Sequence, residues 1–286
     1  MSTYVELLSY GRKYLRQLEI LDAELDAWYL LEHIIGHDRS WYFLHMQEQA
    51  EPDVKEEYER LLQLRGQHRP LQQITGKAYF MGLEFSVNEY VLIPRQDTEI
   101  LVEEALKRMR EDARILDLCT GSGCILLSLL YNKNKAEGIG MDISEKALEV
   151  AKRNSRNLHI KAEFIQSDLL EKATGMFDLI VSNPPYIPAN VIEGLMEEVR
   201  DYEPHLALDG GEDGLDFYRR IAAEAGAYLN PGGWLILEIG QEQGDAVRQM
   251  LSDAGYEKIE VVRDLAGLDR VVLGKMHQED DSCLIN

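Results

Sequence analysis

Cysteine is scarce in this chain: Cys119, Cys124 and Cys283 are the three among 286 residues. Their number is odd and no Cys-x-x-Cys spacing occurs, so neither a disulfide framework nor a cysteine zinc site is indicated, and no metal is expected. Positive charge is short as well. Lys and Arg total 30 against 51 Asp and Glu, a net charge of −21, and neither the first 95 residues nor the remainder is basic overall. Non-specific grip on nucleic acid depends on cations that displace counterions. Stable nucleic-acid binding is therefore not expected, and a protein partner or a cationic cofactor suits this balance better. Long apolar runs are missing too. The longest, around Cys124 to Tyr131, is too short to span a bilayer. The start, Met1-Ser2-Thr3-Tyr4-Val5-Glu6, lacks the charged head and apolar centre of a signal peptide. A cytoplasmic protein without membrane contact is the expectation. No repeat or low-complexity segment stands out.

What is present is enough for one large domain or two ordinary ones, with 45% hydrophobic residues to build a core. Residues 1–75 read as a helical bundle. Leu7, Leu8, Leu15 and Leu18 recur at helix spacing, and Leu25, Trp28, Leu31, Ile34 and Ile35 repeat the pattern up to Gly36, a C-terminal cap. Pro52 opens a helix carrying Val54, Tyr58, Leu61, Leu62 and Leu64. Pro70 starts a short last helix that stops at Gly76. Residues 76–95 hold the aromatic-rich run Tyr79 to Val87, which reads as a hairpin linking two domains. Pro94 ends that extended part, and Asp97 or Thr98 can cap a helix reaching about Met109.

Residues 96–276 alternate. Strands are predicted at 114–118, 138–142, 162–166, 177–182, 234–239, 258–263 and 269–274, and helices near 123–131, 145–157, 190–200, 214–229 and 242–254. This implies an α/β fold, a mostly parallel seven-stranded sheet with helices on both faces, closed by an antiparallel hairpin at one edge. The tail, 277–286, is expected to be disordered.

Chemistry is expected at strand ends, where open α/β sheets bind ligands. The apolar strand Phe177 to Ser182 is followed by Asn183-Pro184-Pro185-Tyr186. Two adjacent prolines give no backbone N–H and hold a stiff, extended turn. That turn presents one amide side chain, bare carbonyls and an aromatic ring. Such a site can grip a planar group bearing an NH2. The first strand ends in Cys119-Thr120-Gly121-Ser122-Gly123, a turn that lets a ligand approach a helix N-terminus. The third glycine of a dinucleotide fingerprint is absent, since Leu126 stands there. Asp142 ends the second strand about twenty residues on, where an acid can accept both hydroxyls of an adenosine ribose. Asp168 ends the third strand and can accept the adenine amino group, with Leu169 as an apolar edge. Singly each acid is more often a cap or a solvated charge; together they favour adenosine.

This order of motifs resembles a class I S-adenosylmethionine-dependent methyltransferase with its Rossmann-like sheet. Cys119 replaces that family's usual first glycine; a small side chain still fits, but the close approach of the methionine part is less favoured. The set Arg69-Pro70-Leu71-Gln72-Gln73-Ile74-Thr75-Gly76, Leu92-Ile93-Pro94-Arg95, Asp97-Thr98-Glu99, Asn183-Pro184-Pro185-Tyr186-Ile187, Glu203-Pro204 and Leu208 to Gly214 is similar to the HemK/PrmC family. These are peptide chain release factor N5-glutamine methyltransferases. Gln96 stands where that family often has proline. The resemblance implies S-adenosyl-L-methionine as methyl donor, with S-adenosyl-L-homocysteine as product. It implies the glutamine of a Gly-Gly-Gln segment as target, and a helical N-terminal domain that docks on the release factor. A monomer is expected.

On this resemblance Asn183 Oδ1 and the Pro184 carbonyl accept the two N–H bonds of the substrate amide, while Pro185 and Tyr186 pack against its flat face. Cys119, Thr120, Gly121, Ser122, Gly123, Asp142, Asp168, Leu169 and Asn183 hold the cofactor. Phe80, Phe85 and Arg95 either line the entrance or serve packing and an ion pair. Glu238 and Gln241 read as structural, and 209–214 as a mobile flap or a turn. Two other readings stand beside this one. A nucleic-acid N-methyltransferase would present a flipped adenine or guanine NH2 to the same tetrapeptide; the overall acidity opposes it. A non-catalytic cofactor-binding scaffold is opposed by the intact tetrapeptide and the acidic pair.

Overall fold

The computed structural model describes residues 2–277, so the expected tail and Cys283 lie outside the described residues, apart from His277. The chain forms two units. The first holds residues up to Lys77 together with Met196–Tyr202; the second holds Ala78–Leu195 and the chain from Glu203 onward.

The first unit is built of helices α1 (Tyr4–Gln17), α2 (Ala23–Ile35), α3 (Arg39–His45), α4 (Pro52–Gly66) and α5 (Leu71–Thr75). A capping box between Thr3 and Glu6 starts α1, and Gly36 in the left-handed region ends α2. Leu7, Leu15, Leu31 and Leu62 are buried in one core, as their spacing predicts. Buried Tyr58 donates to the Ala27 carbonyl at 2.9 Å. Helix α3 was not predicted, because its aromatic run lacks a stripe of its own. It is started by Asp38, whose carboxylate accepts the Trp41 N–H at 2.9 Å, and by stacking of Trp41 between His37 and His45.

The helix predicted at 190–200 is not continuous. A 3-10 turn at Ile192–Gly194 and the short helix α9 (Glu197–Arg200) are separated by extended backbone at Leu195 and Met196. The cause lies in the first unit, to which Met196–Tyr202 belongs. Arg65 is 4% exposed; it donates to Asp26 at 2.6 Å and to Glu198. Gln73 donates to the Tyr202 carbonyl at 2.7 Å. A buried guanidinium needs its carboxylates, and meeting that need breaks the helix.

The second unit opens with the hairpin β1 (Lys77–Phe80) and β2 (Leu83–Ser86). Phe80 and Phe85 are fully buried beside Leu101 and Ile115, so they serve packing and not an entrance. Seven further strands follow: β3 (Arg114–Leu118), β4 (Glu137–Asp142), β5 (Glu163–Gln166), β6 (Phe177–Ser182), β7 (Leu229–Glu238), β8 (Glu257–Arg263) and β9 (Asp269–Lys275). They form one sheet in the order β5-β4-β3-β6-β7-β9-β8. All neighbours are parallel except β9, which runs against β7 and β8. Helices α6 (Glu99–Arg108), α7 (Cys124–Asn132), α8 (Glu145–Asn157), α10 (Asp216–Glu224) and α11 (Gly244–Asp253) complete the unit. Alternate strand residues divide between two cores. Ile115, Leu179, Val181 and Ile236 join one with Leu101 and Leu126; Leu116, Leu118, Ile180 and Leu237 join the other with Tyr218 and Val247.

Arg65→Ala strands the buried Asp26 carboxylate. The expected cost is about 3–5 kcal/mol, read as a lower urea midpoint in the fluorescence of Trp28, which is buried in the same unit. An unchanged midpoint would show that this ion pair does not hold the unit together.

Candidate active site

The sheet reverses direction of growth between β3 and β6, whose residues Leu118 and Ser182 are paired. Ligands bind at such a switch point, outside the carboxyl ends of the strands. Here a cavity of about 220 Å³ opens. It is lined by Cys119, Thr120, Gly121 and Ser122 from the turn after β3, by Asp142 at the end of β4 and by Asp168 and Leu169 after β5. Asn183 and Pro185 line it from the turn after β6. The turns predicted separately from sequence thus meet. Gly123, Pro184 and Tyr186 do not line the cavity. Gly123 is the left-handed residue that starts α7, Pro184 is buried, and the Tyr186 ring packs on the core beneath.

The turn after β3 is fixed by polar contacts at its base. Thr120 donates its hydroxyl to Asp117 Oδ2 at 2.6 Å, and the Gly121 N–H donates to Asp142 Oδ2 at 2.9 Å. Buried Asn154, on α8, donates to the carbonyls of Ser122 and Ser86 and accepts the Ser86 N–H. Burial pushes the Asp117 carboxyl up to about 7, despite the Thr120 hydrogen bond. Asp142 is also raised, by burial first, with the backbone N–H groups of Ser144 and Gly121 opposing.

Cys119 sits at φ 56°, the left-handed region that explains why glycine is usual there. Its thiol is raised by burial first, then by the charges of Asp142, Asp117 and Asp168. The field at this point is therefore negative, which suits a cationic ligand. Each oxygen of Asp142 accepts one backbone N–H, and a carboxylate has about four acceptor sites, so it can still receive ribose hydroxyls. Beside it Ile143 is 50% exposed, an apolar face that a base ring would cover. Asp168 is shared with Arg220, at 2.9 Å. Among the described residues no group of three His, Cys, Asp or Glu side chains is placed to hold a metal ion.

Asn183 donates its Nδ2 to the Thr98 hydroxyl at 3.3 Å. That hydroxyl makes no helix cap, although Thr98 was read as a capping candidate. Behind it lies Glu238, 1% exposed. Gln243, which the sequence reading missed, ties the turn down. It donates to the carbonyls of Tyr186 and Gly214 at 3.0 and 3.1 Å and accepts the Gly240 N–H. The glycine-rich segment lies directly on this turn: Ile187 N–H donates to Leu208 O, and Gly210 N–H to Ile187 O. A Cβ at Gly210 would come within 2.7 Å of Tyr186 Cα, and at Gly214 within 2.3 Å of Tyr186 O. The glycines permit close backbone packing, so the segment is a braced turn. Arg95 lines the cavity and pairs with Glu203.

Comparison with known proteins agrees with this geometry. The PrmC N-terminal domain family matches residues 6–76, and the methyltransferase small domain family residues 95–199. The release factor glutamine methyltransferase of Geobacter sulfurreducens is 41% identical over 275 residues, covering 96% of this chain and 97% of that protein. The chain belongs to the release factor glutamine methyltransferase family. Its relative in Clostridium acetobutylicum is 41% identical over 255 residues, 87% of this chain and 90% of that one. A methyltransferase structure from Pyrococcus furiosus, 19% identical, covers 68% of this chain and 90% of its own with a TM-score of 0.54, a likeness of fold. The class I methyltransferase sheet expected from sequence is present. No helix among the described residues is long and apolar enough to cross a membrane.

The strain at Cys119 can be measured within this family's own variation. Left-handed backbone costs a non-glycine residue about 1–2 kcal/mol, while a new glycine loosens the unfolded chain by about 0.4–1 kcal/mol. The first is the larger by roughly 1 kcal/mol or less, so Cys119→Gly should leave the thermal midpoint unchanged or raise it slightly. Cys119→Val puts a β-branched residue into the same conformation and should lower it by several degrees. Equal midpoints for both variants would rule out the strain.

Proposed function

We propose that this chain transfers the methyl group of S-adenosyl-L-methionine to the side-chain amide nitrogen of a release-factor glutamine, in its Gly-Gly-Gln segment. The observation that carries the reading is Asn183 on the wall of the switch-point cavity that also holds Asp142 and Asp168, in a chain related over 96% of its length to a release factor glutamine methyltransferase.

The cofactor, when bound, supplies an electrophilic methyl on a positively charged sulfur. Asp142 would hold its ribose, Asp168 and Leu169 its adenine, with Ile143 covering the ring, and the turn Cys119 to Ser122 its methionine part. A glutamine amide nitrogen is a poor nucleophile, because its lone pair is delocalised into the carbonyl. Asn183 Oδ1 and the Pro184 carbonyl accept its two N–H bonds, which fixes the nitrogen and raises its electron density. The Asn183 Nδ2–Thr98 bond supports this assignment, since it turns the amide so that Oδ1 is available to a ligand. Tyr186 is assigned to the wall of the substrate site, held by the Gln243 bond to its carbonyl. Its phenol is pushed up to about 12 by burial and the charge of Glu238, so it stays neutral. Alignment of the reacting groups can supply on the order of 7–11 kcal/mol. The nitrogen gains the methyl as the sulfur–carbon bond breaks with its electrons going to sulfur, and a proton then leaves the nitrogen to solvent. The helical first unit is assigned to docking the release factor.

Incubation with labelled S-adenosyl-L-methionine separates the readings. Label should appear on release factor, be absent from its Gln→Ala variant, and be absent from nucleic acid. Label on nucleic acid alone would defeat the proposal, and no label anywhere would favour a binding scaffold. Asn183→Ala should lower turnover by roughly 10²–10³ with cofactor affinity retained; near-normal turnover would remove Asn183 from the mechanism.

A further inference from the structure

Glu238 ends β7, one step beyond the pair Ser182–Leu237 that joins β6 to β7. It is therefore the lateral neighbour of Asn183, one step beyond Ser182 on the adjacent strand. Its carboxyl is sealed from water, at 1% exposure, and Oε2 has no full hydrogen bond among the described residues. The side chains facing that carboxyl are the Thr98 hydroxyl and the Asn183 amide, each of which favours its charged form. Thr98 in turn accepts the Asn183 Nδ2–H. Three side chains from three elements thus close a triangle behind the cavity, in a place where a hydrophobic residue would otherwise pack.

We propose that Glu238 is a positioning residue whose carboxylate, together with Thr98, sets which way round the Asn183 amide lies. The proposal rests on the role given above to Asn183. A carboxylate only accepts hydrogen bonds. It therefore draws the NH2 of Asn183 inward and leaves Oδ1 outward, where the substrate N–H is received. An amide turned the other way would set its oxygen against the carboxylate and its NH2 against the substrate NH2, and would grip nothing. Negative charge behind Asn183 also opposes the positive charge that develops on the substrate nitrogen as the methyl arrives, in a site with little water to screen it. Once protonated, Glu238 can donate a hydrogen bond, and the preference between the two amide orientations disappears.

The groups around the carboxyl decide where that change occurs. Arg270 on β9 favours the charged form and Asp97, before α6, opposes it. The phenols of Tyr186 and of Tyr218 on α10, and the Cys124 thiol on α7, complete the surroundings, all pushed towards their neutral forms by burial. Burial dominates, and the carboxyl is pushed up to about 7. Its charged form is thus lost as pH falls through that value, and turnover should fall with it.

The test is kcat at saturating cofactor and release factor from pH 6 to 9, for wild type, Glu238→Gln, Thr98→Val, Asn183→Ala and the double variant Asn183→Ala/Glu238→Gln. Wild-type kcat should rise about fivefold from pH 6 to 7, about twofold more to pH 8, and level off above that. Glu238→Gln should be slower by about 10²-fold at pH 8, should lose the acidic limb, and should bind cofactor normally by calorimetry. Thr98→Val should lose turnover in the same direction. The double variant should be no slower than Asn183→Ala, because the effect of Glu238 passes through Asn183. If Asn183→Ala is impaired but Glu238→Gln keeps wild-type kcat and the acidic limb, the proposal is overturned while the role of Asn183 stands. Should Asn183→Ala be as active as wild type, the reading beneath the proposal has failed instead. Were Glu238→Gln not to fold, Thr98→Val with an unaltered rate and pH profile would overturn the proposal.

Discussion

The active site depends on one pairing, that of β3 with β6. Ser182 is fully buried and donates its hydroxyl to the Leu118 carbonyl at 2.8 Å, locking the last residues of the two strands side by side. Immediately beyond them come Cys119 on one strand and Asn183 on the other. Everything that follows chemically requires these two turns to diverge from a common point. Helices α7 and α8 face one way from it, and β7 with α10 and α11 face the other, so a crevice forms without any element being hollowed out. Hydrophobic alternation along β3 and β6 positions this point. Ile115 with Leu179 and Leu116 with Ile180 fill opposite cores, and a one-residue slip would exchange the faces. The cavity is therefore as well specified as the core.

Around this point the chain carries features that do not favour stability. Asp117 and Glu238 are buried carboxyls, both pushed up to about 7. Cys119 and Leu169 occupy left-handed backbone on the cavity wall. Left-handed residues and buried carboxyls occur elsewhere in the chain as well, but these four lie on or just behind the cavity wall. Strain of this kind persists where the surrounding structure over-determines it. Here the surroundings are the Thr120–Asp117 bond, the Asn154 contacts to Ser122 and Ser86, and the Gln243 contacts beneath Tyr186. The first ties two side chains at the base of its turn and the other two saturate backbone groups, so the turns can be irregular and still rigid.

Much of this was legible in sequence because it rests on local periodicity. The strand at 114–118 and the helix at 145–157 appear with the predicted ends, and the turns carrying Cys119, Asp142, Asp168 and Asn183 converge as read. The failures share a physical cause. The helix at 190–200 has an adequate apolar pattern, but Glu198 is drawn to Arg65, 133 residues away in sequence. Helix α3 depends on stacking among His37, Trp41 and His45, which no stripe announces. Glu238 reads only as structural and Gln243 escapes notice because their partners lie on other turns: a glutamate closing a strand looks the same whether it faces water or Asn183. Sequence reading sees the side chain that a ligand would touch more readily than the one that holds it. The second kind is defined by contacts distant along the chain.

The division of labour between pocket and surface follows from the same chemistry. On the proposed reading, Asn183, the Pro184 carbonyl and a flat wall would receive any planar NH2, whether on an amide or on a base. Selection of a protein glutamine must therefore come largely from outside the pocket. A net charge of −21 acts before contact: it repels a polyphosphate backbone at a distance where the pocket exerts no force, and leaves a protein partner to be accepted or refused by fit. Inside, the proposed mechanism gives negative charge a second use: carboxylates near Cys119 would favour the sulfonium, and the carboxylate behind Asn183 would favour the nitrogen as it becomes positive. On that reading the acidity that disfavours a polyphosphate substrate is continuous with the acidity that would serve the reaction.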